Sequence, residues 1–362
     1  MHSDATLVAA MRHGCARGGL SPWRQLLEMV VLRLWRGLGP RYYLLGRFWR
    51  RDMPWRDKWD HINDREYRAI VEALNPAAYQ KVSQHKVVEK AMLSLLGFPT
   101  PRFLGFFHPE RGTAWDGAPL RTAADLARLF RHSGETKVVI KLVEGWGGEE
   151  FRAIEIVHNG EQPDLRDLAG GQVQQPEALA RQLASADGYI VEAHLSQHPV
   201  LSALNASSLN TVRLWILKDA GGYKFAGAIL RVGRHGSLVD NISAGGLVCP
   251  IDLETGVLLE VRESHVLADS GDLHPDGGAQ ITGVRMPHWD AVVRLAQRSI
   301  DAFPHMRFAG LDIAIAPDGP RLIELNVKPD LLNAIDFDVP LRRFFQPMAD
   351  PSVPPPSGGA LG

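Results

Sequence analysis

The chain has 362 residues, of which 45% are hydrophobic and 22% charged, with forty Lys and Arg against forty-one Asp and Glu. That is enough for a large core and two or three subdomains, and the balanced charge gives no support to a nucleic-acid partner. Cys15 and Cys249 are the only cysteines and lie far apart, which excludes a disulfide framework or a Cys/His zinc site and fits a reducing cytoplasm. The N-terminal stretch shows no continuous apolar core of secretory type, and the sequence shows no run of about eighteen apolar residues and no internal repeat.

Residues 1–20 are weakly patterned and read as mobile. From Ser21-Pro22 the pattern changes. Trp23, Leu26, Leu27, Val30, Val31, Leu34 and Leu38 recur at helical spacing behind a capping serine and a first-turn proline. The run continues through Tyr42, Tyr43, Phe48, Trp49 and Trp55, with Arg24, Arg33, Arg36, Arg41, Arg47, Arg50, Arg51 and Arg56 among them. A basic, aromatic-rich stretch such as 22–58 either lies on an anionic membrane surface or, the commoner arrangement, caps the main domain with its apolar face.

The periodicity predicts helices over 63–74, opened by Asn63 or Asp64, and over 83–96, stopped by Gly97. A short strand follows at 103–107. Lys86 sits near the start of the second helix, where a lysine is ordinarily solvated. Residues 125–132 read as helix. Lys137 to Val143 is β-branched and reads as a buried strand with Lys141 inside it. A lysine there needs an anion or a route to water. The turn Glu144-Gly145-Trp146-Gly147-Gly148-Glu149 separates it from a strand at 151–157. Free amides in such a turn can cradle phosphate, although the spacing is neither a P-loop nor a dinucleotide fingerprint.

A helix at 176–186 and a strand at 188–193, carrying Glu192, lead into His194-Leu195-Ser196-Gln197-His198-Pro199. The next strand, to Leu217, carries Arg213, and 223–232 reads as its hairpin partner. Asp240 to Leu247 holds a second glycine pair beside polar groups. Residues 263–286 read as a long polar loop of the kind that is often functional. Its His265 and His274 have no metal-type spacing. A helix at 287–302 turns Trp289, Val292, Val293, Ala296 and Ile300 inward. The tail from Pro347 is rich in Pro, Gly and Ser and reads as disordered.

Residues 310–328 read as a hairpin around Pro317, Asp318, Gly319 and Pro320. Asp312 interrupts the first strand. Glu324 and Asn326 share one face of the second. An odd loop places Asp312 opposite Glu324, with Cβ atoms roughly 4.5–5.5 Å apart. Two such carboxylates with an amide oxygen suit a magnesium ion shared with phosphates. The alternative is a set of half-exposed residues on a solvated sheet face, and these three residues alone leave both open.

Buried lysine, glycine turn, strand glutamate, strand arginine and an Asp…Glu-x-Asn hairpin, in that order, resemble the ATP-grasp superfamily. Gly-Phe-Pro-Thr-Pro at 97–101, Ser-Ser-Leu-Asn-Thr-Val-Arg at 207–213, Asp-Asn-Ile-Ser-Ala-Gly-Gly at 240–246 and Gly-Leu-Asp-Ile-Ala-Ile at 310–315 narrow the likeness. They resemble the sugar-transfer-associated ATP-grasp proteins, relatives of α-L-glutamate ligases, over roughly 60–340. The resemblance implies an α+β ATP-grasp fold, in which two α+β subdomains clasp ATP behind a helical N-terminal extension. The implied division is 1–75 helical, 76–200 small and hinge subdomain, 201–346 C-terminal subdomain with the metal site, and 347–362 tail.

Carried onto this chain, the resemblance implies that Lys86 and Lys141 contact ATP phosphates, and that the turn bearing Gly147 and Gly148 closes over them. Glu192 and Leu195 lie beside the adenine, and Gln197 or His198 is the candidate for the ribose. Arg213 and Asn241, with Lys141, face the transferring phosphoryl group. Asp312, Glu324 and Asn326 bind one or two magnesium ions. His85 stands where many relatives carry aspartate. The implied activity is an ADP-forming carboxylate–amine or carboxylate–thiol ligase acting through an acyl phosphate on an amino acid, peptide or surface-polysaccharide precursor. Two other readings are a nucleotide-binding accessory of polysaccharide assembly, docked through 22–58 on a membrane or partner, and a kinase built on the same nucleotide site.

Overall fold

The computed structural model describes residues 7–145, 147–159, 162–183, 185–263, 270–303 and 305–346. Trp146, His265 and the tail from Pro347 lie outside them. The described strands form two seven-stranded antiparallel sheets. The first contains β1 (Phe103–Phe107), β2 (Thr113–Ala114), β3 (Lys137–Leu142), β4 (Arg152–Asn159), β5 (Gln162–Asp167), β6 (Val173–Gln174) and β7 (Tyr189–Ala193), in the order β2-β1-β7-β3-β4-β5-β6. The second contains β8 (Thr211–Asp219), β9 (Gly222–Val232), β10 (Leu247–Ile251), β11 (Val261–Glu263), β12 (Ser270–Gly271), β13 (Phe308–Ala316) and β14 (Gly319–Asn326), in the order β12-β11-β10-β9-β8-β13-β14.

Among the described residues seven helices precede the first strand: α1 (Leu7–Ala16), α2 (Pro22–Arg36), α3 (Pro40–Leu45), α4 (Trp55–Trp59), α5 (Asp64–Leu74), α6 (Ala77–Gln84) and α7 (Lys86–Leu95). Ser21 caps α2, and Asn63 caps α5 by accepting from the Glu66 amide at 3.0 Å. Two expectations change here. The stretch read as mobile forms α1 from Leu7 onward, and Ala10 and Met11 are buried against the other N-terminal helices. The helix expected over 83–96 is split. His85 is extended (φ −100°, ψ 101°), ends α6, and caps α7 through a 3.4 Å contact from the Val88 amide to its Nδ1. Periodicity alone does not register one extended residue between two apolar turns.

The first sheet packs one face on α8 (Ala123–His132) and α9 (Pro176–Gln182), through Val138, Ile140, Ile154 and Val191. A capping box between Thr122 and Asp125 fixes the start of α8. The second sheet is covered on both faces. Leu214 and Ile216 of β8 join a core with Val292, Ala296 and Ile300 of α11 (Trp289–Ala302). Leu295, rather than the half-buried Val293, completes the inward face of α11. Trp215 and Leu217, the alternate residues of β8, join a core with Tyr43, Phe48, Tyr67 and Val71. The N-terminal segment is thus a cap over that face. Asn75 fastens it, donating to the Phe308 and Val327 carbonyls at 2.7 and 2.6 Å and accepting from the Arg307 and Phe308 amides.

The segment read as a long polar loop is partly built in. Residues 261–263 and 270–271 pair as β11 and β12, while Ile281 and Met286 are buried in the core. No described helix is long and apolar enough to cross a membrane.

Candidate active site

In the first sheet, β3 and β7 are neighbours, with Val139 opposite Glu192. Lys141 and Glu192 point to the face away from α8 and α9, and the lysine Nζ lies 2.9 Å from Glu192 Oε2. Lys90 of α7 lies 2.7 Å from the other oxygen, as an ion pair without hydrogen-bond alignment. All three groups are largely buried. Burial pushes the Glu192 carboxyl up, but the two ammonium groups outweigh it and hold it at about 2. Burial likewise lowers Lys141, and Glu192 outweighs that to raise it. The sequence marks Lys141 and Glu192. It does not mark Lys90, because its burial comes from α7 docking on the sheet.

Lys86, the first residue of α7, is tied to the end of β3 by its amide, 3.2 Å from the Val143 carbonyl, and its Nζ donates to the Gly145 carbonyl at 3.1 Å. Gly147 and Gly148 follow with φ of +61° and +80°. A Cβ on Gly148 would stand 2.7 Å from Asn241 Nδ2, and that nitrogen donates to the Gly147 carbonyl at 2.6 Å. The glycine turn of the first sheet therefore touches a loop of the second, and both glycines are needed, one for conformation and one also for approach.

In the second sheet, Asp312 of β13 lies between Arg213 of β8 and Glu324 of β14. The hairpin loop is the even pair Pro317-Asp318. A bulge at Ile323 shifts the register beyond Ile313, and that extra residue is what sets Asp312 opposite Glu324. Arg213 grips Asp312 with two parallel bonds, Nε to Oδ1 at 2.7 Å and Nη2 to Oδ2 at 2.6 Å. Arg231 Nη2 adds a third at 3.0 Å, and its Nε stands 3.5 Å from Asp240. Arg213 Nη1 also donates to Asn333 at 3.2 Å. Burial pushes Asp312 up, and the two guanidinium groups outweigh it and hold it below the usual carboxylate range. Arg231 is a residue that could have been noticed, as a lone charge in the apolar run of β9.

Glu324 and Asn326 stand on the same sheet face. Glu324 makes no ion pair or side-chain hydrogen bond among the described residues. The Asn326 Nδ2 is buried without a partner. No group of three or more His, Cys, Asp and Glu side chains suited to a metal occurs among the described residues. The oxygen donors of Glu324, Asn326 and Asp312 fit a hard divalent ion in kind, with Asp312 shared with two arginines. Close by, Glu89 of α7 accepts from the Leu325 amide at 2.8 Å. Burial, then the charge of Glu324, pushes its carboxyl up to about 8. Burial also pushes Asp336 to about 7, within α12 (Asn333–Phe337). Neither Glu89 nor Asp336 stands out in the sequence, where each is one acidic residue in a helix.

One cavity of about 1300 Å³ joins these groups. Lys86, Lys141, Gly147, Gly148, Glu192, Leu195, Arg213, Asn241, Asp312, Glu324 and Asn326 all line it. Pro40, Arg41, Leu44 and Arg47 of the N-terminal cap add a further wall. Gln197 lines it as well, but its amide is committed. Nε2 donates to the Asn205 and Ser208 carbonyls, and Oε1 accepts from Asn210. His198 does not line it. Its Nδ1 accepts from the Val200 amide at the start of α10 (Pro199–Leu204). His274 is buried and structural, with its Nε2 3.0 Å from the Gly233 carbonyl.

The model of the sugar-transfer associated ATP-grasp family matches residues 65–340. No curated protein matches the chain. Among solved structures, the ATP-grasp ligase PsnB, complexed with a phosphomimetic variant of a minimal precursor, Mg and ADP, is 14% identical. It covers 73% of this chain and 62% of its own, with a TM-score of 0.36. The L-amino acid ligase from Bacillus licheniformis is 12% identical over 74% of this chain and 49% of its own, with a TM-score of 0.40. A carboxyaminoimidazole ribonucleotide synthase from Aspergillus clavatus, complexed with ATP, is 13% identical over 81% and 60%, with a TM-score of 0.44. The chain spans between 49% and 62% of the length of these three proteins.

Proposed function

Since this chain belongs to the sugar-transfer associated ATP-grasp family, we propose that it is an ADP-forming ligase that joins a carboxylate to an amine or thiol through an acyl phosphate. Its substrate class would be an amino acid, a peptide or a surface-polysaccharide precursor. The observation that carries this reading is the meeting of polar and charged side chains from two lobes around one cavity. Lys141 approaches from the first sheet and Lys86 from the start of α7, and Arg213 with Glu324 and Asn326 from the second sheet. In this reading 76–200 and 201–346 are the lobes that clasp ATP, and 1–75 covers the second.

A carboxylate oxygen attacks the γ-phosphorus, the bond from that phosphorus to the β,γ-bridging oxygen breaks, and ADP leaves. The amine then attacks the acyl carbon and inorganic phosphate departs. Both reactants of the first step are anions, so charge compensation decides the rate. Lys86 and Lys141 bind phosphate oxygens, and Glu192 holds Lys141 charged. Arg213, fixed by Asp312, aims its remaining N–H groups at the transferring group, with Asn241 beside it. Magnesium held by Glu324 and Asn326, with Asp312, would share phosphate oxygens and offset their charge. The glycine turn, with Gly147 bonded to Asn241, keeps water from the acyl phosphate.

Incubation with ATP, magnesium, pooled carboxylic acids and hydroxylamine tests this. Hydroxamate formed in step with ADP and free phosphate supports the ligase. A phosphorylated hydroxyl product with no free phosphate would replace it with the kinase reading.

A further inference from the structure

Helix α2 turns one face inward and leaves an apolar face outside. Gln25, Glu28, Met29 and Leu32 are buried, and Glu28 holds Lys58 at 2.8 Å and the Tyr43 hydroxyl at 2.9 Å. The opposite face carries Trp23, Leu26, Leu27, Val30 and Leu34, which fall on one stripe at helical spacing. Trp23 is 82% exposed, Leu34 70% and Leu27 57%. Trp35 lies to one side, also exposed. Such a continuous apolar stripe is unlike the isolated exposed side chains of an ordinary surface.

The surrounding charge points to the occupant. At about 100° per residue, Arg24 and Arg33 flank the stripe on opposite sides. Both are exposed; Arg24 pairs with Glu28 at 3.0 Å, and Arg33 makes no ion pair among the described residues. Residues 7–60 hold eleven Lys and Arg against four Asp and Glu, in a chain whose net charge is −1. A second copy of the chain would bring two basic modules face to face. An anionic lipid surface accepts the apolar stripe between headgroups, gives Arg33 a counter-charge, and suits indole rings at the interface.

We propose that the outward face of α2, Trp23, Leu27, Val30 and Leu34 flanked by Arg24 and Arg33, docks the protein on an anionic phospholipid surface. The docking is peripheral, with the helix lying in the plane of the interface. It does not depend on the nucleotide reading, and its failure would leave that reading intact.

Flotation of the full chain with vesicles tests it, using phosphatidylcholine alone and phosphatidylcholine mixed with phosphatidylglycerol. Binding should require the anionic lipid and fall as salt rises from about 0.1 M to about 1 M, where screening shortens from about 10 Å to about 3 Å. Leu27→Asp with Leu34→Asp should weaken binding at least about tenfold at an unchanged melting temperature, since both side chains are already exposed. Arg33→Glu, which leaves the Arg24–Glu28 pair in place, should reduce the salt dependence. Absence of binding to the anionic vesicles overturns the proposal, as does equal binding by the Leu27→Asp, Leu34→Asp variant. A wild-type dimer that this variant dissolves, with no vesicle binding, would assign the face to a second copy.

Discussion

The two sheets contribute to the cavity in different ways. The second sheet is covered on both faces, by α11 on one side and the N-terminal cap on the other. Its charged groups are locked into one buried chain of contacts, from Asp240 through Arg231, Asp312 and Arg213 to Asn333. The first sheet is packed by helices on one face, and its other face looks into the cavity. Its glycine turn meets the second sheet's Asn241 loop through a hydrogen bond from an exposed amide. The difference separates two tasks. In the proposed reaction the second sheet would fix charge where the phosphoryl group reacts, and the first would deliver cations and a cover. Substitutions in that buried chain of the second should damage fold and turnover together, and those in the turn of the first should damage chiefly nucleotide handling.

The largest effect should come from Arg213→Met. Asp312 would keep only Arg231, so ATP turnover should fall at least about a thousandfold and stability by about 3 kcal/mol. ADP release and urea unfolding read the two losses, and a variant as stable as wild type would break the comparison. Next is Lys90→Met, which leaves Glu192 buried with one counter-charge. Stability should drop by about 2–3 kcal/mol, measurable by the same unfolding curve. It would show that the first sheet also holds one rigid charge site, beneath the turn.

Acid stability follows from Glu192. Its folded value of about 2 lies below the ordinary 4.5. The stabilisation is therefore complete above pH 4.5 and is lost as pH falls from there towards 2, an effect on the order of 3 kcal/mol. Glu192→Gln should be less stable at neutral pH and should lose that part of the acid slope. A slope equal to that of wild type would show that the carboxyl is not held down. The smallest effect should be that of Gly148→Ala. The added Cβ meets Asn241 and the backbone is left-handed. The KM for ATP should rise about tenfold, with stability changed by about 1 kcal/mol. A stability loss as large as that of Arg213→Met would mean that the turn belongs to the rigid part.

Much of this was legible in the chain. Lys141 and Arg213 are charges inside β-branched strands, and Glu324 and Asn326 share a face by their spacing. The pairing of Asp312 opposite Glu324 was legible for the wrong reason, because a bulge at Ile323 supplies the odd residue that the turn lacks. Lys90 and Glu89 were missed because helix docking, which no local pattern encodes, buries them, whereas Arg231 was legible as a lone charge in the apolar run of β9 and its partners Asp312 and Asp240 were not. The N-terminal stretch had two readings, and α2 has a face for each. Met29 and Leu32 are buried in the cap, while Trp23 and Leu34 point outward. A hydrophobic pattern reports that a helix has apolar faces, and only the packed structure reports which one is covered.

Calorimetric titration of ATP, with and without magnesium, on wild type, Lys141→Met and Glu324→Ala tests the central claim most directly. The account predicts magnesium-dependent binding to wild type. It should be weakened about tenfold or more by Lys141→Met, at any magnesium concentration, as an ionic contact to phosphate is lost. Glu324→Ala should remove the magnesium dependence while leaving the melting temperature unchanged. Failure of wild type to bind ATP, or equal magnesium-dependent binding by both variants, would contradict a nucleotide site between the two sheets.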